Sequence, residues 1–184
     1  AARLKVSGAC IEDINWRASR GLDRHLITAL AGCDWVRHAR TILITGATGQ
    51  QGGAVAAALA GAGFQLKGMT RKPDSPAAVA LKQKGVTIVQ GDLNDEASLR
   101  KALTGAWGVF AVQNTWEAGV EGEEEQGHRI ARLAREADVQ HYVYSSVGSA
   151  HRATGIPHFE NKWRIEGTVR ALGFPSHVIL RPVF

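Results

Sequence analysis

Thr41-Ile42-Leu43-Ile44-Thr45-Gly46-Ala47-Thr48-Gly49-Gln50-Gln51-Gly52-Gly53 runs from a short apolar, β-branched stretch directly into spaced glycines. The stretch Thr41–Thr45 reads as a buried parallel strand that stops at Gly46. The Ala-rich stretch that follows, Gln51–Ala62, reads as a helix closed by Gly63. A glycine pattern alone is an ordinary turn. Between a strand and a helix it has the context that nucleotide binding requires. Gly46 permits a tight turn, Gly49 lets backbone approach a pyrophosphate, and Gly52, aided by Gly53, lets the helix pack closely on the strand. Free N–H groups at the helix start then face the phosphates. Gly46, Ala47, Thr48, Gly49, Gln50, Gln51 and Gly52 are therefore candidate binding residues.

Outward from this unit, strands and helices alternate. Gln65–Thr70, Val86–Gln90, Trp107–Val112, His141–Ser145 and Ser176–Leu180 read as strands. Ala77–Lys84, Asp95–Leu103, Glu117–Ala137 and Phe159–Leu172 read as helices, with Asn94 expected to cap the second of these. In Glu117–Ala137 the acids Glu121, Glu123, Glu124 and Glu125 precede Arg129, Arg132 and Arg135, an order that suits the helix dipole. Ile130, Leu133, Ala134 and Ala137 are expected to face the sheet. The alternation predicts an α/β fold: a doubly wound parallel sheet of Rossmann type with right-handed crossovers.

The 184 residues suffice for one domain with a full core, and the 21 glycines suit many strand-to-helix turns. The formal charge of +5 is diffuse: residues 1–40 supply +3 and the remainder +2. There is no basic patch interleaved with aromatics, so nucleic acid is not an expected partner. No apolar run is long enough to cross a membrane, and no secretory signal is visible, so a cytoplasmic location is expected. Cys10 and Cys33 read as reduced thiols rather than a bridge, and no metal-ligand spacing is present. Residues 1–40 have patchy helical periodicity. They read as an extra helix or, preferably, as an extension foreign to the domain that spans 41–184. The stop at Arg181-Pro182-Val183-Phe184, directly after an apolar strand, reads as a domain lacking its C-terminal part, with a minimal domain as the alternative.

The strand ends supply the remaining candidates. Arg71 and Lys72 stand about twenty residues past the glycines, where an acid would bind the 2′-hydroxyl of NAD(H). Two cations there can pair with a 2′-phosphate instead, which favours NADP(H); a solvated surface pair is the alternative. Asp92 can accept from an adenine amino group with Leu93 against the ring, or can simply hold a turn. Gln113, Asn114 and Thr115 follow the fourth strand, in the crevice where a ligand lies in such sheets.

GATGQQGG (46–53), MTRKP (69–73), GDLND (91–95), VFAVQNTWE (109–117), YVYSSV (142–147), HFENK (158–162) and VILRP (178–182), in this order, resemble the NmrA-like family of atypical short-chain dehydrogenase/reductases. The likeness covers about residues 41–184 and is greatest to NADP-sensing regulators, with quinone oxidoreductases as near relatives. It implies that Gly46–Gln51 hold the pyrophosphate and Arg71 the 2′-phosphate. Asp92 and Leu93 would flank adenine, and Gln113–Thr115 would border the nicotinamide ribose. Lys162 would contact that ribose as the lysine of a Tyr-x-x-x-Lys pair. His158 stands at the tyrosine position, and the best register puts Val147, next to Ser145 and Ser146, in place of the catalytic serine. The stretch Glu123–Glu125 is acidic where family members often carry a cofactor-contacting lysine, which implies a weaker hold. Two functions follow as expectations. One is an NADP(H)-binding sensor of the cofactor ratio that acts on a protein partner. The other is an oxidoreductase reducing quinones or related carbonyls, with His158 and Lys162 at the reacting centre. A structural domain with a vestigial site is a third reading, opposed by the intact glycines.

Overall fold

Six strands, β1 (Thr41–Ile44), β2 (Gln65–Thr70), β3 (Thr87–Gln90), β4 (Gly108–Ala111), β5 (His141–Ser145) and β6 (Ser176–Leu180), pair in parallel in the order β3-β2-β1-β4-β5-β6. The computed structural model describes residues 40–183. The expectations for residues 1–39, including Cys10 and Cys33, lie outside these. The chain winds outward from β1 to β3, returns past β1, and continues from β4 to β6. The reversal opens a crevice between β1 and β4 at their carboxyl ends, the ligand position in doubly wound sheets. Ile44 is held there between Gly68 and Phe110.

The connections are helices α1 (Gln50–Leu59), α2 (Pro76–Gln83), α3 (Glu96–Leu103), α4 (Thr115–Glu136) and α5 (Pro157–Ala171). Successive strand residues point to opposite faces. Ile42 and Ile44 therefore join Phe110, Ala56 of α1 and Leu81 of α2 in one core layer. Leu43 joins Val109, Leu99 of α3, Ile130 and Leu133 of α4, and Ile165 of α5 in the other. The expected α/β doubly wound sheet is the observed fold.

Several local expectations are overturned. Asp95, not Asn94, caps α3: its carboxylate accepts from the Ala97 N–H at 3.0 Å. The Asn94 N–H instead donates to Asp92 Oδ1 at 2.8 Å, within the preceding turn. α1 ends at Leu59: Ala60 turns extended (φ −61°, ψ 124°), and Gly61 and Gly63 follow at positive φ. α4 starts at Thr115 under an Asn114 cap and is not continuous, since Gly119 breaks it with φ 75° and ψ 171°. Ala137 is the exposed C-cap of α4, and Val139 fills the core beyond it. Glu123, one of the acids in the first half of that helix, is fully buried. A 3₁₀ turn at Ala150–Arg152, between positive-φ Ser149 and Ala153, had no sequence signal.

Candidate functional site

The glycine turn is built by contacts on both sides of β1. The Thr45 hydroxyl donates to the Val112 carbonyl at 3.0 Å and accepts the Val112 N–H at 2.8 Å, locking β1 to the end of β4. Gly46 follows with φ +57°, and a Cβ there would meet Val112 Cγ1 at 3.0 Å. The Gly49 N–H closes the turn on the Gly46 carbonyl at 2.9 Å. Gln51, in the first turn of α1, accepts from the buried Ser145 hydroxyl at 2.9 Å, so the helix start is braced against β5. Ala47 is fully buried, backbone included, with its methyl in the core layer of Ile42 and Ile44.

The glycines differ in what requires them. A Cβ on Gly52 would lie 2.3 Å from the Gly46 carbonyl oxygen, so helix–strand packing itself excludes one. Gly49 is different. Its backbone is extended (φ −87°, ψ 175°), and a Cβ would meet only the Gly46 oxygen at 3.3 Å. Protein packing restricts that position far less than Gly52, although the Gly46 oxygen would have to give by a few tenths of an ångström, and a position without a side chain suits the close approach of a ligand. The first turn of α1 has no side-chain cap and no acid, so its free N–H groups suit an anion.

The strand-end candidates gather around this turn. Arg71 and Lys72 are exposed at the end of β2, and Arg71 donates to Glu117 Oε2 at 2.5 Å, reaching the first turn of α4. Asp92 holds a turn: Oδ1 accepts from Asn94, and its N–H donates to Ser98 Oγ at 3.0 Å. Leu93 packs on the core, and its carbonyl accepts from Arg129 at 2.8 Å. Asn114 caps α4 through the Trp116 N–H at 3.1 Å, and Thr115 donates to Glu123. Gln113 is 5% exposed, and neither its amide nitrogen nor its oxygen has a partner among the described residues. Such a group at the crevice suits a ligand that supplies both a donor and an acceptor.

Lys162 and His158 lie in the first two turns of α5. Lys162 donates to Glu123 Oε1 at 2.5 Å, with the lysine side chain 12% exposed and the carboxylate fully buried. The other oxygen, Oε2, accepts from Thr115 and, at 3.0 Å, from Asn161. The His158 ring packs edge-on against Phe159 at 4.8 Å and tilted against Trp116 at 5.9 Å. Val147 is buried, Ser145 is engaged by Gln51, and Ser146 donates to Glu166 at 2.6 Å. The Tyr142 and Tyr144 hydroxyls are buried without partners among the described residues, and burial pushes both far above the ordinary phenol range. No group among the described residues therefore forms a serine–tyrosine–lysine proton relay.

Glu123 and Glu166 are the structurally decisive residues that motif reading missed. Helical spacing carried a signal for each. Glu123 aligns with Gly127, Ile130 and Ala134 on the buried face of α4, and Glu166 lies beside Ile165 and Val169 on that of α5. Glu166 accepts from Ser146 and Arg170 and, through both oxygens, from Arg181 at 2.9 and 2.6 Å, tying α5 to the ends of β5 and β6. Burial alone would raise its pKa, but the hydrogen bonds from Arg181, Ser146 and Arg170 outweigh it and hold the carboxyl below its usual value of 4.5. A lowered folded-state pKa means stability that is full above the unfolded value and lost as pH falls through the folded one. Thermal melts on acidification below neutrality should therefore show Glu166→Gln starting less stable than the parent and losing less. Parallel curves would refute this assignment.

The family profile described as NmrA-like family matches residues 38–184, and one for IstB-like ATP binding protein matches residues 1–71. Over 120 residues the chain is 40% identical to the NmrA-like family domain-containing oxidoreductase hkm9 of Aspergillus hancockii, covering 62% of this chain and 36% of that protein. The crystal structure of NmrA, a negative transcriptional regulator, in complex with NADP superposes with TM-score 0.66 at 30% identity, over 76% of this chain and 44% of that one. NmrA in complex with NAD gives the same values. The triphenylmethane reductase of Citrobacter sp., complexed with NADP(H), gives TM-score 0.67 at 28% identity, over 76% of this chain and 48% of that one. The chain thus spans less than half the length of these relatives. With the matched region running from the start of β1 to the end of the described sheet, the chain belongs to the NmrA-like family.

Proposed function

We propose that this chain forms the dinucleotide-binding part of an NADP(H)-binding protein that reports the cofactor ratio to a protein partner. Gly49 carries the reading, because packing restricts it far less than Gly52 while backbone approach to a pyrophosphate needs it open. Gly46–Gly52 would hold the pyrophosphate, and Arg71 with Lys72 the 2′-phosphate. Gln113, Asn114 and Thr115 would lie along the nicotinamide ribose. NmrA, a regulator solved with both NADP and NAD, is consistent with this reading. So is the engagement of Lys162 by Glu123, with His158 in place of a tyrosine for the lysine to activate. Bound NADPH would supply a hydride in a reductase, whereas sensing needs only its reversible binding.

Fluorescence titration with NADPH and NADH tests the reading. NADPH should bind more tightly by ~1–3 kcal/mol, the size of a charge-assisted contact, and Arg71→Ala should erase the difference. Equal affinities in the parent would refute the NADP(H) assignment.

The second reading is an oxidoreductase acting on quinones or related carbonyls, and the names of relatives such as hkm9 and triphenylmethane reductase favour it. It requires a proton donor, and His158 is the candidate. In the sensing reading His158→Ala leaves NADPH binding intact and there is no turnover to lose. A quinone reductase activity that falls by ~10²–10⁴-fold in His158→Ala would establish the oxidoreductase instead.

A further inference from the structure

Arg71 is already paired. Its guanidinium donates to Glu117 Oε2 at 2.5 Å, and Asn114 Nδ2 donates to the other carboxylate oxygen at 3.4 Å. This contact joins the end of β2 to the first turn of α4. Those two elements leave the sheet on either side of β1, so the pair spans the carboxyl-end crevice into which the glycine turn opens. The turn that carries Glu117 is jointed. Gly119 follows it at φ 75°, with nothing among the described residues within 4 Å of where a Cβ would stand. Between cap and joint, Trp116 is 87% exposed. The pair itself is accessible, with the two side chains 60% and 59% exposed.

We propose that Glu117 is a specificity-determining residue that acts as an internal competitor for Arg71 and sets how strongly the site discriminates for a 2′-phosphate. This rests on the reading of the crevice as a dinucleotide site. A ligand with a 2′-phosphate brings nearly two negative charges to Arg71 and displaces the single charge of Glu117, whose short turn swings on Gly119. A ligand with a 2′-hydroxyl brings no charge, so the Arg71–Glu117 pair persists and opposes its binding little. Glu117 therefore lowers affinity for the phosphorylated cofactor and leaves the other nearly untouched. It narrows a preference that Arg71 creates. Exposed ion pairs are weak, so the expected effect is a few-fold rather than orders of magnitude.

The test is titration of the 184-residue chain with NADPH and NADH, in the parent, Glu117→Gln, Arg71→Ala and the double variant. Gln at 117 keeps the length and the capping capacity of the third helical residue, so the fold of α4 is retained. Glu117→Gln should tighten NADPH by about 3–5-fold while shifting NADH by less than about twofold. On the Arg71→Ala background the same substitution should change NADPH affinity by less than about twofold, because no pair remains to break. An unchanged NADPH affinity in Glu117→Gln overturns the proposal, as does an equal gain for both dinucleotides. A gain that persists without Arg71 also overturns it, by showing direct repulsion of the ligand instead of competition. Binding of neither dinucleotide to the parent overturns this proposal and the reading beneath it together. Binding with any of the other adverse outcomes overturns this proposal alone.

Discussion

Lys162→Met should destabilise the fold by about 3–5 kcal/mol, the cost of leaving a buried charge without its partner. Glu123 is fully buried, and its remaining contacts, Thr115 and Asn161, are neutral. The loss should fall steeply in urea or thermal denaturation, and Glu123→Gln in the same chain should recover most of it. Gln keeps an acceptor for Thr115 and Asn161 and removes the stranded charge. A single variant that unfolds like the parent would show that Glu123 and Lys162 are not coupled. The result also governs how ligand binding is read. Loss of NADPH binding in a Lys162 variant is attributable to a missing ribose contact only if the double variant, with its stability restored, loses it too.

Gly52→Ala and Gly49→Val should separate packing from ligand approach. In Gly52→Ala the new methyl lies 2.3 Å from the Gly46 carbonyl oxygen and 2.9 Å from that of Thr45, both backbone atoms. Either α1 moves away from β1 or the turn deforms, at a cost of about 1–3 kcal/mol or more. Gly49→Val meets a milder obstruction, with the new Cβ 3.3 Å from the Gly46 oxygen. Valine is a poor N-cap, so a loss of about 1 kcal/mol is expected in thermal melts. NADPH affinity should nevertheless fall by about 10–100-fold, the loss of one or more charge-assisted bonds to phosphate. If Gly49→Val folds and binds NADPH like the parent, the pyrophosphate does not approach that turn. If Gly52→Ala melts with the parent, the contact between α1 and β1 is softer than its geometry indicates.

The doubly wound sheet was legible along the chain. Short apolar strands, glycine-ended helices and the order of the motifs are local signals, and each agrees with the others. β2, β5 and β6 begin and end where the pattern places them, and Gly46, Gly49 and Gly52 stand where a strand gives way to a helix. Boundaries were less legible where two residues compete for one role. Asn94 and Asp95 can each cap a helix, and the choice fell to Asp95 because Asp92 draws the Asn94 N–H into its own turn.

Which charges are solvated and which are paired depends on the assembled fold. Arg71 and Lys162 were legible as candidate ligand contacts, but nothing in the chain pairs them with Glu117 and Glu123. Their pairs, Arg71–Glu117 and Glu123–Lys162, join residues 46 and 39 positions apart, brought together by crossovers around β1 and by the packing of α4 on α5. The same holds for Glu166, whose carboxylate collects Ser146, Arg170 and Arg181 from three elements. Motif spacing reads neighbours along the chain. The burial of a charge depends on partners that only the assembled sheet supplies, and burial with those partners makes an acid a structural anchor.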